Sequence, residues 1–200
     1  MTNVLRDAHA GVHHVWVGAT GNEPYFIDDV DRIMWVRGLV QTADKFGLTC
    51  LAFCQMTTHI HLLLDAPEGT LSRAMQRLNW DYSRRFNVRH DRLGQFVRRR
   101  YGNRRIEDAA DLLGVFAYVV LNPVKARMCP RGEDWRWSSL ATSLGLTDDF
   151  PFVDASLVLA ETGRSPERLR AFLDARWRSH LSKAATSDCL TTRRGPWGRA

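Results

Sequence analysis

The chain has 200 residues, 44% hydrophobic and 25% charged, a balance that excludes a largely disordered protein and a length that predicts one principal domain. Lysine and arginine number 28 against 22 acidic residues; the excess is nearly all arginine, whose planar fork matches phosphate oxygens, so a polyanionic partner and a merely solubilising charge both fit. No stretch approaches the roughly 20 apolar residues of a bilayer span, MTNVLRDAHAG has no apolar signal core, and the cysteines at 50, 54, 129 and 189 lack zinc or disulfide spacing, so a cytoplasmic protein with no membrane association is expected.

His13–Val17 (HHVWV) alternates as a strand does, and GATGNEP supplies a loop. From Ile27, Val30, Ile33, Met34, Val36, Leu39 and Val40 recur near helical spacing, with acids in the first turn and Gly47 at the end, which predicts an amphipathic helix. Leu48–Gln55 and His59–Leu64 read as a β-hairpin, and Leu71, Met75, Leu78 and Tyr82 as the apolar stripe of a second helix with arginines on its outer face. A strand is predicted around Gly94–Arg100, with Arg104–Ile106 continuing or bulging from it, and a third helix from near Glu107 to Pro123, followed by VKARM, a turn and WRWSSL. The order β-α-β-β-α-β-α is that of an α+β, ferredoxin-like antiparallel sheet with helices on one face. It places one domain over residues 1–145, a helical extension over 146–181 with a helix at Pro166–Arg178, and a basic tail, expected to be disordered, over 182–200.

His59 and His61 are two apart on a predicted strand and project from one face, the arrangement by which two imidazoles chelate one metal; a hydrogen-bonded pair on a half-buried strand gives the same HxH pattern. His13 and His14 are weaker candidates, because adjacent strand residues face opposite ways. On the third helix Asp111, Val115, Tyr118 and Asn122 form one stripe, apart from an apolar stripe of Leu113, Phe116 and Val120. A tyrosine hydroxyl can attack phosphorus when a metal polarises the phosphate, although most helical tyrosines only pack. The Asn122 carboxamide oxygen could complete a metal site, or Asn122-Pro123 could cap a new helix over VKARM. Arg73, Arg77, Arg84 and Arg85, then Arg98, Arg99, Arg100, Arg104 and Arg105 with Tyr101 and Phe96 among them, suit a single-stranded nucleic acid whose bases rest on aromatic rings.

The segments MTTHIHLLLDAPEGTLSRAMQ, NWDYSRRFNVRHDRLGQFVRRRYGNRRIED, AYVVLNPVKARM and DWRWSSL, in that order, resemble the single-tyrosine HUH transposases, and within them the REP-associated tyrosine transposases. The likeness spans roughly His13–Ser139. It implies the HUH endonuclease fold, His59, His61 and Asn122 as ligands of Mg²⁺ or Mn²⁺, and Tyr118 as the nucleophile that cleaves single-stranded DNA beside a hairpin and leaves a 5′-phosphotyrosine. Two positions depart from the family pattern: Thr57-Thr58 stands where Pro-Asn is common, a change expected to alter only the loop, and Gly102 where a lysine often follows the aromatic. A catalytically silent DNA-binding protein acting on palindromic repeats is the competing reading; an RNA-binding ferredoxin-like domain fits less well, because no aromatic-rich RNP strand is evident.

Overall fold

A computed structural model describes residues 9–97 and 101–191 of the chain. Four strands, β1 (Gly11–Gly18), β2 (Thr49–Gln55), β3 (His59–Ala66) and β4 (Gly102–Arg105), form an antiparallel sheet in the order β2-β3-β1-β4. The helices are α1 (Asp29–Phe46), α2 (Leu71–Arg89), α3 (Ala109–Lys125), the short α4 (Leu140–Ser143) and α5 (Ser156–Ala160), and α6 (Pro166–Thr191). The α+β antiparallel fold is the one the element order predicts, with one difference in layering. Only α1 and α2 share a face of the sheet; α3 packs against the other face.

The cause lies in the central strands. Ile60, Leu62 and Leu64 point toward α1 and α2, while Leu63, with Leu51 and Cys54 of β2, points toward α3. A strand that is apolar on both faces must be covered on both. Each Leu taken fully out of water is worth about 1.5–3 kcal/mol, so leaving Leu51 and Leu63 bare would sacrifice much of a typical domain's net stability. Val158 of α5 and Leu169 and Leu173 of α6 complete this second core, so the helical extension is packed onto α3. The outer edge of β2 is covered too: Gln55 N–H donates to the Trp137 carbonyl (2.9 Å) and Ser139 N–H to that of Phe53 (3.0 Å), which removes an edge open to strand pairing.

Helix α1 begins at Asp28, whose carboxylate accepts the Asp31 N–H, and ends at Gly47 in the left-handed conformation (φ 66°), a position glycine occupies without strain. Its buried face differs from the one the apolar spacing predicts. Val30 and Ile33 are exposed, whereas Asp31, Arg32, Trp35 and Leu39 are buried. Asp31 accepts the Ile27 N–H and a bond from Arg89, and Arg32 donates to the Gln55 carbonyl with its guanidinium 4.7 Å from the Phe26 ring. Paired in this way, two charged side chains occupy the interior in place of two aliphatic ones. Helix α2 buries Leu71, Met75, Leu78 and Tyr82, as its stripe predicts.

The last strand is Gly102–Arg105 rather than Gly94–Arg100. Of the earlier stretch, Val97 forms an isolated bridge to Ala19, Phe96 is a core residue stacked 3.8 Å from Phe86, and residues 98–100 lie outside the described residues. Helix α3 runs through Pro123 to Lys125, so Asn122 does not cap a new helix. Helix α6 extends to Thr191, beyond the Arg178 at which the sequence pattern ends it; residues 192–200 lie outside the described residues. Among the described residues no helix is long and apolar enough to cross a membrane.

Candidate active site

β3 is a central strand, and its alternation sends His59 and His61 toward α3. On β1 the same face carries His14 and Trp16. Trp16 pairs directly with His61, which places His14 diagonally across from it. His14 Nε2 lies 3.1 Å from His61 Nδ1, and both side chains are buried. His59 sits 5.0 Å from His61, ring centre to ring centre, with its Nδ1 3.0 Å from the Thr58 hydroxyl. The departure at Thr58 therefore reaches the imidazole it orients and is not confined to the loop.

Tyr118 of α3 closes the cluster from above. Its ring stands edge-on to His61 at 5.2 Å and to His14 at 5.6 Å, and the Lys125 ammonium lies 5.4 Å from its centre. Tyr118 is 43% exposed, while Tyr25 and Tyr82 are buried and Tyr101 is half-buried. Of the four tyrosines in the chain it alone offers its ring and hydroxyl to an incoming molecule.

Burial holds His14 down to about 4, with the Arg104 guanidinium adding to the effect and Asp111 opposing it. Burial likewise holds His61 down to about 3, reinforced by His14 and His59. Both imidazoles are neutral at neutral pH, the state in which a ring nitrogen can bind a cation. His61 spends Nδ1 on His14, and such an outer hydrogen bond is what usually orients a metal-ligating imidazole.

Asn122 lies one turn beyond Tyr118, half-buried, and its Nδ2 is buried without a hydrogen-bond partner. Since the cap is not formed, this carboxamide is available as a ligand. Among the described residues no three or more histidine, cysteine and acidic side chains gather as a metal site. Two imidazoles and one amide oxygen, if brought together, would be a donor set acceptable to Mn²⁺ and less so to Mg²⁺, which favours oxygen.

The arginines are placed less simply. Those of α2 stand on the helix packed against the opposite face of the sheet, so Arg73, Arg77, Arg84 and Arg85 do not join the histidine cluster. Arg77 pairs with Asp81, the Arg73 guanidinium lies 5.8 Å from the Phe46 ring and that of Arg84 5.2 Å from Trp80, while Arg85 is exposed. Arg98, Arg99 and Arg100 lie outside the described residues. Arg104, opposite His14 in the sheet, is on the site's face but is held by both oxygens of Asp111 at 2.7 and 2.8 Å; Arg105 alternates to the other face and is exposed. Tyr101 packs on the first core and Phe96 lies within it, so neither presents an open ring for stacking.

The cluster contains a histidine that the sequence ranks as a weaker candidate and a tryptophan that it does not single out. His14 belongs to it, and so does Trp16, 40% exposed and 5.1 Å from His14. Trp16 also explains Gly102: a Cβ there would collide with the indole, which fills the space a longer side chain would take. The alternation of HHVWV puts His14 and Trp16 on one face and was the available signal; the pairing with β3 was not visible.

The family model described as Transposase IS200 like matches residues 9–120. A Haemophilus influenzae protein named as a REP-associated tyrosine transposase is 28% identical over 110 residues, which cover 50% of this chain and 62% of that protein, so the likeness spans less than two thirds of the relative. Among solved structures, that of a REP-associated tyrosine transposase bound to a REP hairpin superposes with a TM-score of 0.64 at 16% identity, over 79% of this chain and 93% of the other. At that identity the superposition speaks for the fold.

Proposed function

Because the chain belongs to the IS200-like transposase family, we propose that it is a nuclease and strand transferase that cuts single-stranded DNA beside a hairpin, with Tyr118 as nucleophile. The observation that carries this reading is the position of the one exposed tyrosine, edge-on to His61 and His14 on a rigid helix. The Tyr118 oxygen attacks the scissile phosphorus, a P–O bond to tyrosine forms as the P–O bond to the 3′-oxygen breaks, and the phenolic proton is lost while the leaving oxygen gains one. The phosphodiester is conserved as a 5′-phosphotyrosine, and attack by another 3′-OH reverses the exchange and rejoins strands. Lys125, over the ring, favours negative charge developing on the phenolic oxygen. His59, His61 and Asn122 would hold a divalent ion, Mg²⁺ or Mn²⁺, which supplies charge neutralisation at the scissile phosphate.

Incubation with a cognate hairpin oligonucleotide and Mn²⁺ is expected to give a protein-DNA adduct that survives boiling in detergent. Tyr118→Phe removes one exposed oxygen, so it should keep stability within about 0.5 kcal/mol, bind DNA as before and form no adduct. Phenylalanine variants of Tyr25, Tyr82 and Tyr101 that fold should still form it. An adduct mapped to one of those tyrosines refutes the site; cleavage with no covalent intermediate refutes the mechanism. Specific hairpin binding without any cleavage would instead support the catalytically silent reading.

A further inference from the structure

Between α3 and α6 runs a cleft of about 290 Å³ lined by Tyr118, Leu121, Lys125, Arg176, Trp177 and His180. It opens on the same tyrosine that faces the histidines, and four of its nine lining residues come from α6. Two of its residues are cations, and no ion pair engages either Lys125 or Arg176 among the described residues, whereas Arg77, Arg89, Arg92, Arg104, Arg131 and Arg170 are each paired with a carboxylate. The Arg176 guanidinium lies across Gly114, 3.4 Å from where a Cβ would stand. Trp177 is half-buried and stacks 5.3 Å from the His180 ring, so one face of the cleft is an aromatic platform.

Unpaired cations beside an aromatic pair are the features by which single strands are held, phosphates on the charges and bases on the rings. We propose that this cleft seats a nucleotide of the single strand next to the scissile phosphate, with Lys125 and Arg176 on its phosphate and Trp177 against its base. The inference rests on the reading of Tyr118 as the cutting residue for its location, and on the cleft alone for its binding chemistry. It gives α6 a role in holding substrate.

The test uses the full chain carrying Tyr118→Phe, without metal and with chelator present, so that binding is read apart from cleavage. Fluorescence anisotropy compares a hairpin oligonucleotide bearing a short single-stranded extension, on its 5′ or its 3′ side, with the same hairpin left blunt. Trp177→Ala is expected to weaken binding of one extended hairpin by roughly tenfold, the size of a lost base-stacking contact, and to leave the blunt hairpin unchanged. Trp177→Phe should recover most of the loss, which a packing defect in α6 would not predict. Arg176→Ala should lower the salt slope for the extended hairpin by about 0.7, one phosphate contact. Equal binding of blunt and extended hairpins by every variant, or equal weakening of both, overturns the proposal. If wild-type protein forms no tyrosine adduct and the extension effect persists, the subsite stands and the nuclease reading falls.

Discussion

Replacement of His14 separates two accounts of how the histidine cluster is held. If the ring serves mainly as packing against Trp16 (5.1 Å), His61 (5.2 Å) and Tyr118 (5.6 Å), then His14→Phe, which keeps an aromatic ring, should be the mildest change. If the 3.1 Å bond to His61 Nδ1 dominates, His14→Gln should be milder, because the glutamine amide reaches a similar position and can turn either its oxygen or its nitrogen to the partner, whichever tautomer His61 adopts. Both rings are neutral at neutral pH, held down to about 4 and about 3, so the bond is an uncharged one worth about 1 kcal/mol net. His61 is only 5% exposed, however, and a buried nitrogen without a partner costs about 1–3 kcal/mol. The three ring contacts of a small imidazole, at roughly 0.5 kcal/mol each, come to about 1.5 kcal/mol, below the middle of that penalty, so the hydrogen bond should decide. The expected order of loss is Gln below about 1.5, Phe about 1–3 and Ala about 2–5 kcal/mol, read by urea unfolding at pH 7 with the Tyr118 adduct yield measured alongside. A phenylalanine variant more stable than the glutamine one, with equal adduct yield, would refute the assignment of His14 as the residue that orients His61.

Two further outcomes follow from side chains already placed. Arg104 is neutralised by Asp111, so Arg104→Ala should leave the salt dependence of DNA binding nearly unchanged, whereas Asp111→Asn should steepen the slope by about 0.7 by freeing a cation; the reverse pattern would mean that Arg104 abandons Asp111 for phosphate. Asn122→Leu replaces a carboxamide whose Nδ2 has no partner, so thermal unfolding should show unchanged or slightly greater stability, while adduct formation in Mn²⁺ should be lost; full adduct yield would remove Asn122 from the site.

What the sequence disclosed about this site is what local periodicity controls. His59 and His61 share a face because a strand repeats every two residues, and Tyr118 and Asn122 share one because a helix brings every fourth residue around. The order of elements likewise implied the antiparallel sheet. What stayed hidden depends on pairing over distance. His14 meets His61 across 47 residues of chain, and the contact exists only because the register sets Trp16 opposite His61. Trp177 and Arg176 reach Tyr118 only because α6 packs on α3. The apolar spacing of α1 misleads for a related reason: Asp31 and Arg32 can be interior only with Arg89, Ile27 and Gln55 in place to receive them. β4 was placed too early because GNRR carries no apolar alternation; it is a strand through its backbone pairing with β1.

The stretch around Pro123 shows why local rules failed where the chemistry is proposed. A proline within a helix removes the bond its N–H would give to the carbonyl four residues back, here Val119, and disfavours helical geometry at the residue before it, Asn122. Those rules favour a break with Asn122 as a cap. Instead α3 continues to Lys125, with Val119 and Val120 in the second core and Val124 buried as well. Of the side chains beyond Pro123, Val124 is buried and Met128 packs partly on the second core, together worth about 2–5 kcal/mol, enough to offset the roughly 3 kcal/mol that an interior proline costs. Tertiary packing therefore wins over the local signal, and it has a chemical consequence. In an unbroken helix Asn122 stays one turn from Tyr118 on the same face, and Lys125 stays over the Tyr118 ring. A break at Pro123 would spend the carboxamide on a cap and carry Lys125 away on a new axis. The apolar face of α3 thus holds the helix intact and keeps the nucleophile, the amide and the cation in fixed relation.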